Sequence, residues 1–262
     1  MVKKKASILT VFVLLGLLWH PLPADPATSL TTKLEPNVIL IGSFFNGISI
    51  SVTGQVSAES EVLVILKGRT EDLTLKKKGR VLGVLWMNLG EVTFQQVPKI
   101  YLLYTSKGLD EFARSNREQW EQLGIGLESF QRKTEISPLL EEKDSLIQEF
   151  LKLKQSQGLY AANQGAVHFE NIDGKLKSYE AAVRVPARIA PGEYELNVLE
   201  LHAGTVVATA VEQIKVKEEG LPAILSNLAF KHGTLYGILA VLIAIGAGLL
   251  MDFFFGQSKG AH

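Results

Sequence analysis

Residues 233–251 read GTLYGILAVLIAIGAGLLM, and this stretch decides how the rest of the chain is organised. It carries no charge, and Phe253, Phe254 and Phe255 prolong it. At about 1.5 Å of rise per residue, such a helix crosses a hydrocarbon layer of about 30 Å. A core helix of that length shows a polar stripe where it meets water, and this run has none. The expectation is one transmembrane helix over 233–255 with a cytoplasmic tail at 256–262. Asp252 falls at the helix end, within reach of the membrane interface. Ala240, Ala244 and Gly248 recur at four-residue spacing, which puts small residues on one face where another helix can approach closely.

The other end is of a different kind. Lys3, Lys4 and Lys5 precede an uncharged run over 6–19, and His20-Pro21-Leu22-Pro23-Ala24 follows. A basic start, an apolar run too short to span and a breaker before a small residue mark a secretory leader over 1–24, with cleavage after Ala24. An exported start and one later span place the bulk of the chain in the periplasm and His262 in the cytoplasm, as a single-pass protein of the bacterial inner (cytoplasmic) membrane. Lys231 and Lys259 flank the span one on each side, so orientation rests on the leader.

Composition sets bounds on the remainder. Of 262 residues, 47% are apolar, enough for a sizeable core. Leaving aside the two ends, 25–232 holds three more acids than bases, which offers nucleic acid no electrostatic footing. The chain has no cysteine, which excludes disulfides, thiolate nucleophiles and cysteine-ligated metals.

The middle of the chain reads as mainly β with a helical insertion. Residues 25–36 form a Pro-, Ser- and Thr-rich lead-in. Ile48, Ile50 and Val52 alternate with Ser49, Ser51 and Thr53, a period of two. Residues 61–66, EVLVIL, are nearly continuous in apolar character and suit a central strand. Further strands are expected near Leu73 and Leu75, over 81–86, 92–94 and 100–104, with Gly54, Gly68, Gly79 and Gly90 as turns. From Gly108 the period becomes helical through Leu109, Phe112, Ala113, Trp120 and Leu123. A second helix is expected to start at Ser137-Pro138 as N-cap and first residue, and to end at Gly158. Strands return over 167–169, 179–185 and 194–198, and a closing hairpin runs through Ala203-Gly204 into 206–216. Spacing and turns of this kind suggest an immunoglobulin-like β-sandwich, with Tyr194 as a corner tyrosine. The segments are 25–107 (β-rich), 108–162 (helical), 163–218 (β-rich with the closing hairpin) and 219–232. In the last, Leu221, Ile224, Leu225 and Leu228 form an amphipathic juxtamembrane face. The pattern leans toward two β-rich subdomains bridged by helices, and pattern alone does not choose between one sandwich and two.

No constellation has the form of an active site. HExxH, GxSxG, Walker A and GxGxxG followed by an acid are all missing from the sequence. His168 and His202 stand far apart in sequence, and no metal or cofactor is expected. Glu141-Glu142 and Glu218-Glu219 read as solvated faces. The chain is not expected to be an enzyme. The most unusual local feature is Lys76-Lys77-Lys78-Gly79-Arg80 followed by Trp86, four cations in five residues beside an expected turn. It reads either as a solvated hairpin tip or as a site for an anion or a lipid headgroup.

Several segments in order, KKKGRVLGVLWMN (76–88), PKIYLLYTS (98–106), LGI (123–125), GLY (158–160), VPARIAPGEY (185–194) and the final span, resemble the Alph_Pro_TM family of transmembrane proteins first described from alphaproteobacteria. The resemblance implies an inner-membrane protein with a periplasmic domain. It brings no catalytic residues. Members of that family are often encoded beside a sulfite-exporter-like permease, which implies a partner in the membrane and a role as transport accessory. The alternative is an extracytoplasmic module that binds an anion or a glycan, with Lys76, Lys77, Lys78, Arg80 and Trp86 as its site.

Overall fold

The computed structural model describes residues 30–81, 84–139 and 141–255. The expected leader, its cleavage site and the tail at 256–262 lie outside the described residues. Thirteen strands and six helices are described. Two sheets are built from strands that are distant in sequence. The first is ordered β1 (Thr31–Glu35), β3 (Ile48–Ser57), β11 (Leu176–Val185), β10 (Val167–Asp173). The second is ordered β2 (Val38–Ile41), β13 (Thr205–Glu218), β12 (Gly192–His202), β4 (Glu61–Gly68), β7 (Tyr101–Thr105), β9 (Tyr160–Asn163). Within them β13–β2 and β7–β9 are parallel and the other pairs antiparallel.

The period-two pattern explains the packing. Ile50, Val52 and Val56 on β3 and Ala181, Val183 and Val185 on β11 point to one side. There they share a core with Val62, Val64 and Leu66 of β4, Leu196 and Val198 of β12, and Ile214 and Val216 of β13. The two sheets therefore face each other across one apolar layer, as alternating strands require. The lean toward two separate β subdomains is corrected: β3 pairs with β11 and β4 with β12, so both β blocks feed both sheets. Sequence pattern reports which face of a strand is buried, and partner choice between distant strands is invisible to it.

The chain between β7 and β9 supplies a third layer. Parallel neighbours cannot be joined by a tight hairpin and need a crossover. Here the crossover contains α1 (Leu109–Ser115), α2 (Arg117–Leu123), α3 (Glu128–Lys133) and α4 (Lys143–Ser156). The single expected helix after Gly108 is two, divided at Asn116, whose side chain accepts a hydrogen bond from the Gln119 amide at 3.2 Å and so starts α2. The helix expected to begin at Ser137 begins at Lys143. Ile136–Ser137 is instead a short strand, β8, paired to Phe94 and Thr93. Gly158 follows α4 with φ +71°, as a C-terminal glycine should.

A second core lies between the helices and the outer face of the six-stranded sheet. It is largely aromatic. Phe94 stacks on Phe150 at 4.5 Å, Phe150 meets Tyr160 edge-on at 5.8 Å, and Phe130 meets Tyr101 edge-on at 5.0 Å.

Three glycines expected to mark turns, Gly54, Gly79 and Gly90, lie inside strands. A Cβ at Gly54 would run into the Thr31 carbonyl and the Tyr179 ring, so β3 needs glycine there to let β1 and Tyr179 approach. A Cβ at Gly79 would run into the Leu89 side chain. The stretch 81–86, expected as one strand, is divided between β5 (Thr70–Val81) and β6 (Leu85–Pro98).

Five tyrosines fasten segments to the cores through backbone groups. Tyr160 donates to Pro98 O at 2.7 Å, Tyr179 to Thr31 O at 3.0 Å, and Tyr194 to Ala190 O at 2.5 Å. Tyr194 thus makes the corner contact that the sequence suggests. Tyr101 accepts from Gly126 N at 3.1 Å and Tyr104 from Arg184 N at 2.8 Å. Burial pushes all five phenols above their ordinary value, Tyr179 to about 12. Burial lowers Lys154, which lies over the Phe150 and Tyr160 rings, and Lys177.

A raised phenol contributes stability that is present below its unfolded value of 10.0 and lost as pH rises through the folded value. A lowered lysine acts oppositely, because the cost of burying its charge is relieved as pH rises toward 10.5. The solubilised chain is expected to lose thermal stability between pH 10 and about 12. Tyr179→Phe should lower stability at neutral pH by about 1–2 kcal/mol through its lost hydrogen bonds, and should make the alkaline loss shallower. Melting curves of both proteins across that range check this; equal alkaline slopes would contradict it.

Candidate functional site

The cations singled out in the sequence lie on a long hairpin. β5 and β6 pair antiparallel from Thr70↔Pro98 to Val81↔Leu85, and β8 joins them as a third strand near the base. Strand alternation divides the hairpin into two faces. Leu73 and Leu75 of β5, with Val92 and Phe94 of β6, point inward and pack in the aromatic core. Thr74, Lys76, Lys78 and Arg80 point outward and are exposed. Thr74 and Thr93 share a hydroxyl hydrogen bond of 2.8 Å on that outer face.

The alternation separates the four cations. Lys76, Lys78 and Arg80 lie on the outer face. Lys77 is on the inner face, where its ammonium pairs with Glu142 Oε2 at 2.5 Å just before α4. Trp86 is opposite Arg80, whose guanidinium carbon stands 5.0 Å from the indole centroid. The structure therefore brings Arg80 and Trp86 together, with Lys76 and Lys78 on the same outward face, and withdraws Lys77.

The tip has a second property that composition did not reveal. Leu85, Trp86, Met87 and Leu89 are all more than half exposed. Leu89 is the extra residue of a bulge, because Lys77 is opposite Gly90 and Lys78 opposite Asn88. Gly90 accommodates the bulge with φ +149°. The inward apolar stripe of the hairpin thus continues past the last residue that the helices cover. A period of two carried from Phe94 and Val92 would place Asn88 and Trp86 inward; the bulge at Leu89 reverses the parity and turns Met87 and Leu85 inward instead, which is why the sequence did not show it.

The remaining candidates are dispersed. His168 is exposed on β10 and His202 is exposed at the end of β12, in different sheets. Among the described residues no group of three or more His, Cys, Asp or Glu is placed to hold a metal ion. An open groove of about 840 Å³ on the helical layer was not foreseen. It is lined in part by Arg114, Arg117, Arg132 and Trp120. Asp110, Glu121 and Glu128 line it too, and Arg117 pairs with Glu121 at 3.1 Å, so its charges balance within the groove. Its residues come from several helices and share no local motif, which hides it in the sequence.

Beyond β13 follow α5 (Leu221–Lys231) and α6 (Gly233–Phe255). Leu221, Ile224 and Leu225 of α5 are exposed. Residues 233–254 of α6 form a helix long and apolar enough to cross a membrane, and the apolar window that qualifies it has no residue buried against the rest of the chain. Ala240, Ala244 and Gly248 are all exposed on it.

The exposed tip should contribute little to folding. Trp86→Ala is expected to change stability by less than about 0.5 kcal/mol, as for surface positions generally. Phe94→Ala, in the stacked core at the base of the same strand, should cost about 3–5 kcal/mol. Thermal or denaturant unfolding of the two variants measures the contrast; a large loss for Trp86→Ala would mean that the tip is part of the folded core.

No protein in a comparison with curated proteins matches the chain. A family model described as "Putative transmembrane protein (Alph_Pro_TM)" matches residues 29–257, a span that contains every element from β1 to α6. With an exposed apolar helix at the C-terminal end and a β-rich module before it, the chain belongs to that transmembrane protein family.

Proposed function

We propose that this chain is a periplasmic interaction module of immunoglobulin-like sandwich type, held at the inner membrane by α6 and serving as accessory subunit to a membrane transporter of the sulfite-exporter-like class. The observation that carries the reading is α6 itself. It is uncharged from Gly233 to Met251 and has no cover within its own chain. Ala240, Ala244 and Gly248, with Gly237 a turn earlier, offer one small-residue face to a neighbouring span. In lipid, where apolar contact with a neighbour gains little over contact with acyl chains, such a face gains by close backbone approach. The rigid two-sheet module would then be presented beside the partner, with the helical layer and its open groove as contact surface.

Gentle solubilisation of membranes containing the full chain should bring down a polytopic membrane protein with it. Replacing Ala244 and Gly248 together by Leu should reduce that recovery several-fold while the melting temperature of the chain stays unchanged. Recovery of monomer alone, repeated in mild detergents, would remove the accessory reading.

The orientation has its own test. Protease added to intact spheroplasts should digest the β module and leave a fragment the size of α6 and its tail. A module that survives until the membrane is permeabilised would place it on the cytoplasmic side.

A further inference from the structure

We infer that the distal half of the β5–β6 hairpin is a lipid-docking element, which seats its apolar face at the acyl boundary of an anionic bilayer and sets its cations against the headgroup phosphates.

Three observations converge on this. The first is the division of chemistry between the two faces of the tip. Leu85 and Met87 continue the inward stripe, and Leu89 of the bulge lies against Gly79 on that same side. Arg80, Lys78 and Lys76 stand on the opposite side with Trp86; Glu91 is there too, opposite Lys76, so the face carries a net two positive charges concentrated toward the tip. A protein core would cover the first face and leave the second wet. An interface between acyl chains and phosphates satisfies both at once, with long cationic side chains reaching to the charged layer and indole at headgroup level.

The second is what the tip lacks as a small-molecule site. Lys76, Lys78 and Arg80 are spread along one strand at every second position, about 6–7 Å apart. Lys77, the cation that would close the set, is held by Glu142 on the other face. A row of separate cations matches a surface of many phosphates better than a single anion.

The third is position. β13 reaches Val216 opposite Gly192, Tyr194 of β12 is opposite Gly68 of β4, and Lys67 is opposite Tyr101 of β7. The hairpin starts at Thr70 and ends at Pro98, so its base lies at the same end of the six-stranded sheet from which β13 passes into α5 and α6. Eleven residues of strand extend about 35 Å; the eleven residues of α5 rise about 17 Å, and Glu219, Gly220 and His232 add at most about 10 Å between the sheet and the span. Anchoring by α6 keeps a bilayer surface at high effective concentration for the exposed faces of the module, the hairpin tip among them. Anionic headgroups are complementary in charge to the outer face. The inference rests on α6 lying in lipid and is independent of any transporter partner.

The chain contains no cysteine, so Met87→Cys gives a single attachment point for an environment-sensitive fluorophore. Glu59→Cys, exposed in the turn between β3 and β4 and so at the opposite end of β4 from Gly68, is the control. Full-length protein is placed in nanodiscs of phosphatidylcholine, alone or mixed with phosphatidylglycerol, with and without a lipid-borne nitroxide quencher. Incorporation into the discs itself reports on α6. The Met87 label should be quenched in mixed discs and much less in neutral ones, and the Glu59 label in neither.

Each exposed cation near an anionic surface contributes about fivefold to partition. Changing Lys76, Lys78 and Arg80 together to Gln should therefore weaken docking on the order of a hundredfold, and added salt should weaken it in the parent protein. Equal, low quenching of both labels in every disc overturns the inference. So does quenching at Met87 that ignores both phosphatidylglycerol and the triple change. Protection of Met87 that appears only when a second membrane protein shares the disc would assign the tip to a protein partner and overturn it as well.

Discussion

β4 is the strand on which the other layers depend. Val62 to Leu66 are buried without a break, and their side chains alternate between two cores. Val62, Val64 and Leu66 face the opposing sheet, and Leu63 and Ile65 face the helical layer. A strand that is apolar on both sides cannot be stable at the surface of one sheet, because either face left open exposes a row of large aliphatic groups to water. Covering one face demands the sheet of β1, β3, β11 and β10. Covering the other demands the crossover between β7 and β9. The helical segment is thus no appendage to a β domain: it closes the outer face of the same strand whose inner face holds the two sheets together.

The tyrosines show how the loops were tied to this frame. Each side chain buries its ring in a core and uses its hydroxyl on main chain from another segment, or from the adjoining corner in the case of Tyr194. Tyr160 begins β9 and holds the carbonyl of Pro98, which ends β6; Tyr101 begins β7 and receives the amide of Gly126, just before α3. In a chain without disulfides these contacts perform part of the fastening that covalent bridges perform elsewhere. They also account for the aromatic character of the second core, since Tyr101 and Tyr160 belong to both the ring cluster and the hydrogen-bond set.

Much of the strand content was legible because period two is a local signal. Ile48, Ile50 and Val52 announced β3, EVLVIL announced a central strand, and Tyr194 with Pro191-Gly192 announced a corner. What failed was of two kinds. Glycine was taken as punctuation at Gly54 and Gly79, yet there it marks close approach of Thr31 and Tyr179 in one case and of Leu89 in the other. Those neighbours are remote in sequence or displaced by a bulge, and no window over the glycine contains the reason for it. Partner choice failed in the same way: β4 takes β12 as its neighbour across more than a hundred residues, which turned two apparent β blocks into one interleaved pair of sheets. The cationic run was legible as composition, and its division between two faces follows from alternation once β5 is known to continue through Gly79. The groove among the helices had no local trace at all.

The hairpin departs from the economy of the remainder of the module. Elsewhere exposed aliphatic side chains are interspersed with polar ones: on the uncovered face of β13, Val207 and Val211 alternate with Thr205, Thr209 and Gln213. On β5 and β6 the stripe continues beyond β8 and α4, and the bulge at Leu89 adds a further apolar side chain where a polar one would have served solubility. An uncovered hairpin of that composition is an aggregation liability in water. Seating that face at a lipid interface, as inferred above, takes it out of water and removes the drive to pair with other copies. Alternation along β5 and the bulge on β6 leave an apolar face and a mainly cationic face back to back on one uncovered hairpin, and a boundary between acyl chains and phosphates satisfies both.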